Sequence, residues 1–371
     1  MSNFLSQGSQ SSGRAQQVFN WLSLGLLLEY VRRLWVDLSP YWFNPLWTTD
    51  DALQQIYPFH KVLNPELFKG DLITEVMEGY LAPLHYWISW GLTWLTGDPI
   101  MMSHWLTLIQ IGLAALFIFL TLKHVTNWGV ACLGVLWLLH TRALFQRMVG
   151  GLPRCWASAI VAATIYFMVK RNHKAVLFVL LLGCLLNPPA TLVAAGTYGL
   201  FLTIAVLLPK TRKEFLKPFL TLVLLSPVYA GSVLLVIKRS PEVGQMVTFD
   251  EASKMPEFQR PSGRFPFLPL DTRTYEYRIY GYQPFKHRLF DELGWKFWPR
   301  EFFKIVTFPI IILVGLCLLF KEARQRRWIA PAEVLSCLAA IIIVYELSRL
   351  LAFQLYVPNR HLQAPLSVFW L

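Results

Sequence analysis

The sequence predicts an all-α protein, a polytopic bundle of about eight to ten transmembrane helices whose outer loops carry interfacial helices. Of the 371 residues, 55% are hydrophobic and 15% are charged, whereas soluble domains average roughly 25% charged residues. Several apolar runs approach the roughly 20 residues that cross a bilayer. The 15 Trp and 26 Phe residues exceed the needs of one soluble core. The lipid bilayer is therefore the expected partner of this chain.

The formal net charge of +12 is explained by membrane topology, and no nucleic-acid partner is predicted. Twelve Lys or Arg residues fall in four short blocks between apolar runs, with only two acids among them. The blocks are LKH at 122, KRNHK at 170, KTRKEFLK at 210 and KEARQRR at 321. Short basic loops face the cytoplasm under the positive-inside rule. The pattern predicts an integral protein of a bacterial inner or plasma membrane.

The apolar runs define one transmembrane domain over residues 16–371, after a polar tail at 1–15 that is predicted to be disordered. The first span is predicted at 16–36, with an interfacial helix as the alternative because four charges interrupt the run. Further runs lie at 102–122, 128–141, 154–169, 175–209, 218–237, 302–320 and 331–352. The uncharged run 175–209 is too long for one straight helix. Its NPPA segment at 187 predicts a hairpin, because Pro cannot continue helical hydrogen bonds.

Two long loops are predicted on the outer, extracytoplasmic face. The first, 37–100, holds eight acids and two bases, and its Trp-rich segment 83–97 is predicted to be an interfacial helix. A short true span is the alternative for that segment. The second loop, 238–301, has 11 bases and nine acids, which suggests an ion-paired flap. Because the final apolar stretch APLSVFWL is too short to cross the membrane again, we expect a C-terminally incomplete chain or a half-inserted last helix.

Two adjacent aspartates, Asp50 and Asp51, stand in the first outer loop of a chain that is poor in acids. Carboxylates beside phosphate-binding groups can hold a divalent cation or take a proton from an attacking hydroxyl. The pair also precedes the segment ALQQI, so that it would begin a helix, where acids are favoured regardless of function. Both interpretations stay open at this point.

A set of cations on the outer face departs from the positive-inside pattern and predicts an anionic ligand. Arginine presents a planar fork of donors that matches phosphate. The predicted ligand-binding residues are Arg142, Arg147, Arg154, Arg360 and His361. The two glycines of MVGGLP, between the second and third arginine, would let the backbone approach a ligand closely. The alternative is that these arginines pair with loop acids or reach lipid headgroups.

The order of these features resembles the GT-C superfamily of membrane glycosyltransferases, most of all its protein mannosyltransferase and aminoarabinose transferase branch. There, an acidic pair opens an amphipathic helix, a PPLxYW-like segment lies in the interface, and the second span follows. Here the pair is Asp-Asp, and the segment is APLHYW, with one Pro lost, within APLHYWISWGLTWLTGDPIMMSHWLTLIQIGLAALF. The resemblance covers residues 16–170 in pattern and the remainder in topology.

The resemblance implies transfer of a sugar from a polyprenyl-phosphate donor to a hydroxyl or amine acceptor on the outer face. The first-loop acid of the family, a proposed base or metal contact, corresponds to Asp50 and Asp51. The family's phosphate-binding arginines correspond loosely to Arg147, Arg154 and Arg360. A divalent cation, Mg²⁺ or Mn²⁺, is the cofactor that the acidic pair would hold.

Two other functions remain open. A transporter would use the charges of Glu346 and Arg349, one turn apart in the last full span, and the helix break at NPPA. The lack of a second half with matching spans counts against it. A catalytically inactive relative of the transferases is the other alternative.

Overall fold

The computed structural model of the chain describes residues 2–140, 148–237, 251, 254–256, 330–350 and 359–369. Within these ranges the chain is helical and contains no strand, which confirms the all-α class. The helices are α1 Ser2–Trp42, α2 Asp50–Ile56, α3 Leu72–Tyr80, α4 Pro83–Thr96, α5 Pro99–Val125, α6 Trp128–His140, α7 Trp156–Val169, α8 His173–Leu186, α9 Pro188–Leu207, α10 Arg212–Ile237, α11 Ala330–Leu350 and α12 Asn359–Phe369. Short 3₁₀ segments, Tyr57–Val62 and Pro153–Cys155, follow α2 and precede α7.

Three stretches of the described helices are long and apolar enough to cross a membrane: Pro99–Val125, Pro188–Leu207 and Arg212–Ser232. Other apolar helices, such as α8 with its 14 residues, are shorter. At a rise of 1.5 Å per residue such a helix is about 20 Å long, less than the hydrocarbon core of roughly 30 Å. The described residues thus contain fewer membrane-length helices than the eight to ten predicted spans. The predicted span 302–320 and nearly all of the loop 238–301 lie outside them.

The predicted break in the apolar run 175–209 is confirmed at the NPPA segment. Helix α8 ends at Leu186, and α9 begins at Pro188. Asn187 lies between them, and its Oδ1 accepts a hydrogen bond of 3.1 Å from the N–H of Ala190, which caps α9. Pro is favoured in the first turn of a helix, where its missing N–H costs nothing.

Helix α1 runs parallel to α6 along the bundle. The Asn20 Oδ1 accepts a hydrogen bond of 3.1 Å from the N–H of Gly129, and ten residues later the Tyr30 hydroxyl lies 3.2 Å from the His140 Nδ1. The first span at 16–36 stays a prediction, because α1 is not among the described helices that are long and apolar enough to cross a membrane. The helix begins at Ser2 and so includes the tail that the sequence predicts to be disordered; no Pro precedes Pro40 to interrupt it.

The helices place three of the four basic blocks, those at 122, 170 and 210, at one end of the bundle, which we call the basic end. The block at 321 lies outside the described residues. The basic end comprises the turns at 126–127, 170–172 and 208–211. There the Arg171 guanidinium lies between the rings of Phe201 and Phe215, at 4.9 and 4.8 Å, and its Nη2 is 3.3 Å from the Glu333 Oε1. These contacts join α9, α10 and α11 to the α7–α8 turn. The opposite end, which carries the start of α2, the segment Pro153–Cys155 and the α8–α9 break, we call the site end.

Helix α4 has its polar side chains inside and its aromatic side chains outside. His85, Ser89 and Thr93, spaced four residues apart, are buried against the bundle. The exposed side chains include Trp87 and Trp94. This reverses the pattern of a helix in water. Whether the segment 83–97 is an interfacial helix or a short span stays a prediction.

The predicted topology can be tested with single cysteines at two exposed lysines, one at each end. Lys69→Cys, in the first outer loop, should react with an impermeant thiol reagent added to sealed cells. Lys213→Cys, at the basic end, should stay unlabelled until the membrane is permeabilised. The described native cysteines are buried, so the parent protein should give a low background. Labelling of residue 213 in intact cells would reverse the topology.

Candidate functional site

The acidic pair forms the first turn of α2. Asp50 and Asp51 are its first two residues, and the preceding Thr49 has extended backbone and makes no side-chain cap. The Asp50 Oδ1 accepts a hydrogen bond of 2.8 Å from the N–H of Asp51, while the Asp50 side chain is exposed. Acids are stabilised here by the helix dipole. The pair therefore occupies a helix N-terminus, as one of the two interpretations requires.

The structure brings Asp51 and Arg154 together although 103 residues separate them. The Arg154 Nη1 donates a 2.7 Å hydrogen bond to the Asp51 Oδ2. Their side chains are 27% and 43% exposed, respectively, so the ion pair is accessible from the solvent side of the site end. A fork of donors and a carboxylate thus meet at one accessible point.

Buried polar atoms without partners in the described part of the chain lie around this ion pair. They include the Arg154 Nε, the Thr49 Oγ1 and the Gln55 Oε1. Thr49 adjoins the acidic pair, and Gln55 follows Asp51 by one helical turn. Because buried polar groups are nearly always hydrogen-bonded, this region has unused capacity for a polar ligand or ordered water.

The two glycines before Arg154 allow the loop to contact protein closely, which differs from the predicted approach to a ligand. Gly150 and Gly151 have φ values of +102° and +62°. A Cβ at Gly151 would lie 2.7 Å from the Ser103 carbonyl oxygen, and a Cβ at Gly150 would lie 3.1 Å from the Thr49 Oγ1. The Gly150 N–H donates to the Thr107 Oγ1 at 3.1 Å. The turn is therefore packed onto α5 and the start of α2.

Two side-chain amides hold the backbone just before Arg154. The Gln110 Nε2 donates to the Leu152 carbonyl at 3.1 Å, and the Asn187 Nδ2 donates to the Pro153 carbonyl at 3.0 Å. We call these two contacts the amide clamp. Sequence reasoning missed Gln110, although a polar amide inside an apolar run is a usable signal. It noted Asn187 only as part of a helix break.

A buried hydrogen bond joins the interfacial helix to the same turn. The Trp156 Nε1 donates to the His85 Nδ1 at 3.0 Å, and both residues are buried. Burial lowers the pKa of His85 to about 3, so the ring is neutral and its Nδ1 can accept. This bond ties helix α4 to Trp156, which follows Arg154 by two residues in the sequence.

Acid should destabilise the protein through His85. In the unfolded chain His85 binds a proton below a pH of about 6.5, whereas in the folded protein it binds one only below a pH of about 3. The free energy of unfolding should therefore fall by about 1.4 kcal/mol for each pH unit between these values. Thermal unfolding in detergent from pH 7 to pH 4 measures this slope. His85→Gln should flatten the slope, and an unchanged slope would exclude His85 as its source.

The other predicted ligand-binding residues make no described contact with the Asp51–Arg154 ion pair. The His361 ring is buried, and its Nδ1 lies 3.2 Å from the Pro189 carbonyl, so it donates to the start of α9. That contact puts α12 at the site end, next to the start of α9. Arg360 is the neighbouring residue of α12. Arg142 and Arg147 lie outside the described residues.

The described donors do not form a divalent-cation site by themselves. No group of three or more His, Cys, Asp or Glu side chains able to hold a metal occurs in the described ranges. One carboxylate of the acidic pair, Asp51, already accepts from Arg154. A Mg²⁺ or Mn²⁺ ion at Asp50 and Asp51 stays a prediction, and we derive no step through it.

The arrangement can do two things chemically. The guanidinium can bind an anion through its fork, and the adjacent carboxylate can accept a proton. Arg154 is held on a turn that five contacts, three of them fully buried, connect to α2, α4, α5 and α9. Comparison with protein-family models, curated proteins and solved structures finds no match for this chain.

Proposed function

We propose that the protein is an integral membrane glycosyltransferase that moves a sugar from a polyprenyl-phosphate donor to an acceptor at the site end. The observation that carries the proposal is the 2.7 Å contact between Arg154 and Asp51. A phosphate-binding fork beside an accessible carboxylate is the minimum that such a transfer needs. The GT-C resemblance of residues 16–170 supports the same assignment.

The proposed reaction is a displacement at the anomeric carbon. The acceptor oxygen or nitrogen forms a bond to this carbon as the bond to the phosphate oxygen breaks. The leaving phosphate takes the electron pair and is stabilised by Arg154. The proton of the acceptor passes to the acidic pair, with Asp51 as the preferred base. Attack from the side opposite the leaving group inverts the anomeric centre.

The ion pair holds Arg154 and Asp51 next to each other, as the phosphate-binding and proton-transfer steps require. Asp51 neutralises the charge of Arg154 through their ion pair. A bound phosphate competes for the same donors, and the unpartnered Arg154 Nε supplies a further one. The carboxylate released by this exchange lies next to the phosphate, where a base is required.

Membrane placement is supported by the described helices. Three stretches are long and apolar enough to cross, and α4 exposes its Trp side chains while it buries its polar ones. The three basic blocks within the described residues and the acidic pair lie at opposite ends of the bundle. Under the positive-inside rule, this puts the proposed active face outside the cytoplasm.

The helix break at Asn187, which a transporter would use, positions a residue of the transferase site in this proposal. Asn187 at the break caps α9 and donates to Pro153, which positions Arg154. The break therefore favours no transport function of its own. An inactive relative would keep this geometry but show no transfer.

Arg154→Lys tests the proposal in membranes supplied with a synthetic polyprenyl-phosphate sugar. Lysine keeps the charge but loses the fork, so the KM for the donor should rise by roughly 10- to 100-fold while kcat changes less. Arg212→Lys, at an exposed position of the basic end, is the matched control and should behave as the parent protein. No transfer by the parent protein, or an unchanged KM in Arg154→Lys, would count against the proposed function.

A further inference from the structure

The basic end exposes more positive than negative charge. Between residues 121 and 217 the sequence contains one acid, Glu214, which is exposed. Arg171 adds nothing to the surplus, because its Nη2 is 3.3 Å from the carboxylate of the buried Glu333. Seven other cations of the basic end are exposed: Lys123, Lys170, Lys174, Lys210, Arg212, Lys213 and Lys217. Seven cations against one acid leave a formal surplus of six positive charges on these described elements.

Aromatic contacts hold the α7–α8 turn against the start of α10. The buried Phe215 ring of α10 lies 5.7 Å from the His173 ring and 4.8 Å from the Arg171 guanidinium. The Phe201 ring of α9 lies 5.5 Å from the Phe215 ring and also contacts the guanidinium. Two basic parts of the sequence are therefore neighbours in the fold. We call their exposed cations the basic patch: Lys170, Lys174, Arg212 and Lys213.

Exposed leucines border the basic patch. They are Leu207 and Leu208 before the α9–α10 turn, and Leu216 and Leu220 on α10. The stretch Arg212–Ser232 is long and apolar enough to cross a membrane, and only 6% of its most apolar part is buried inside the protein. Lys and Arg at the end of such an outward-facing helix lay their alkyl stems along the hydrocarbon and place their charges at the level of the lipid phosphates.

We propose that the basic patch binds the headgroup phosphates of anionic phospholipids in the cytoplasmic leaflet. Its four cations are held on two neighbouring turns, and Glu214 offsets one of them, so a surplus of three positive charges is concentrated there. A soluble phosphate compound would meet the same cations but would leave the bordering leucines uncovered, whereas a phospholipid covers them with its acyl chains. The proposal depends on membrane placement and is independent of the transferase chemistry.

The test uses purified protein in phosphatidylcholine vesicles, with a fluorophore attached through Phe178→Cys. Phe178 is exposed one helical turn after Lys174, and the described native cysteines are buried. Phosphatidylglycerol or phosphatidylcholine that carries a nitroxide on an acyl chain quenches the fluorophore only on close approach. The parent protein should bind the phosphatidylglycerol probe about 3- to 10-fold more tightly than the phosphatidylcholine probe. Added salt should reduce this preference.

Three variants show whether the basic patch is responsible. Lys174→Gln with Lys213→Gln removes one cation from each turn and should abolish most of the preference. Arg14→Gln with Lys123→Gln makes the same change of charge at exposed positions outside the patch and should keep most of it. Glu214→Gln should strengthen the preference. All five side chains are exposed, so thermal unfolding should match the parent protein.

Three results would overturn the proposal. The first is equal quenching of the parent protein by the two lipid probes. The second is an equal loss of preference in the two double variants, which would assign the effect to the overall charge of the protein. The third is displacement of phosphatidylglycerol by inorganic pyrophosphate at constant ionic strength, which would assign the basic patch to a soluble phosphate compound.

Discussion

Asp51→Asn should lower sugar transfer by about 10²- to 10⁴-fold, the usual contribution of a positioned base. Asparagine has the same shape and can still accept a hydrogen bond from Arg154, so the site geometry should persist. What is lost is the negative charge and the ability to take a proton. The rate of transfer from a polyprenyl-phosphate sugar in membranes measures the effect. Expression and thermal unfolding should change little, because partly exposed ion pairs contribute about 1 kcal/mol or less.

Asp50→Asn is the matched control for this prediction. Asp50 is exposed and contacts the N–H of Asp51, so its charge acts mainly on the helix N-terminus. We expect a smaller loss of transfer than for Asp51→Asn. A larger loss would make Asp50 the base. Full transfer in both variants would remove the acidic pair from the chemistry and leave the proposed function without its central observation.

Gly151→Ala should destabilise the protein by roughly 2–5 kcal/mol. The new Cβ would lie 2.7 Å from the carbonyl oxygen and 2.9 Å from the Cα of Ser103, and neither backbone atom can move without displacing α5. The φ of +62° adds the cost of a left-handed conformation for a residue with a Cβ. Thermal unfolding in detergent should therefore occur at a clearly lower temperature.

Gly112→Ala provides the comparison within α5. A Cβ at Gly112 would meet nothing within 4 Å, and alanine is the better helix former. This variant should be neutral or slightly stabilising. If the two substitutions had equal effects, the close approach of the 150–151 turn to α5 would be excluded.

The sequence predicted those parts of the fold that depend on local patterns. Apolar runs and NPPA located α5, the α8–α9 hairpin and α11, because helix-breaking Pro and run length act within a few residues. The Trp-rich segment likewise gave α4. The length of each helix was less predictable, since α8 ends well before a bilayer would be crossed.

The candidate site was only partly predictable, because its contacts join distant parts of the chain. Composition singled out Asp51 and Arg154 separately, by their unusual charge at the predicted outer face. Their 2.7 Å contact spans 103 residues and depends on how α2 and α7 pack on α5. The amide clamp could not be predicted in the same way. Gln110 and Asn187 act by donating to two backbone carbonyls, and no pattern of side chains in the sequence indicates which carbonyls these are.

The amide clamp also sets an order of events during synthesis. The contact from Gln110 needs only the chain up to residue 152, whereas the second contact needs the chain up to residue 187 and the insertion of both helices of the hairpin. Chains emerge from the ribosome from the N-terminus onward. Asp51 is therefore present long before the turn that aligns its arginine is complete. The proposed active centre is complete only when the α8–α9 hairpin has packed against the turn. A nascent chain that stops before residue 187 would contain Asp51 and Arg154 but lack the second contact of the amide clamp.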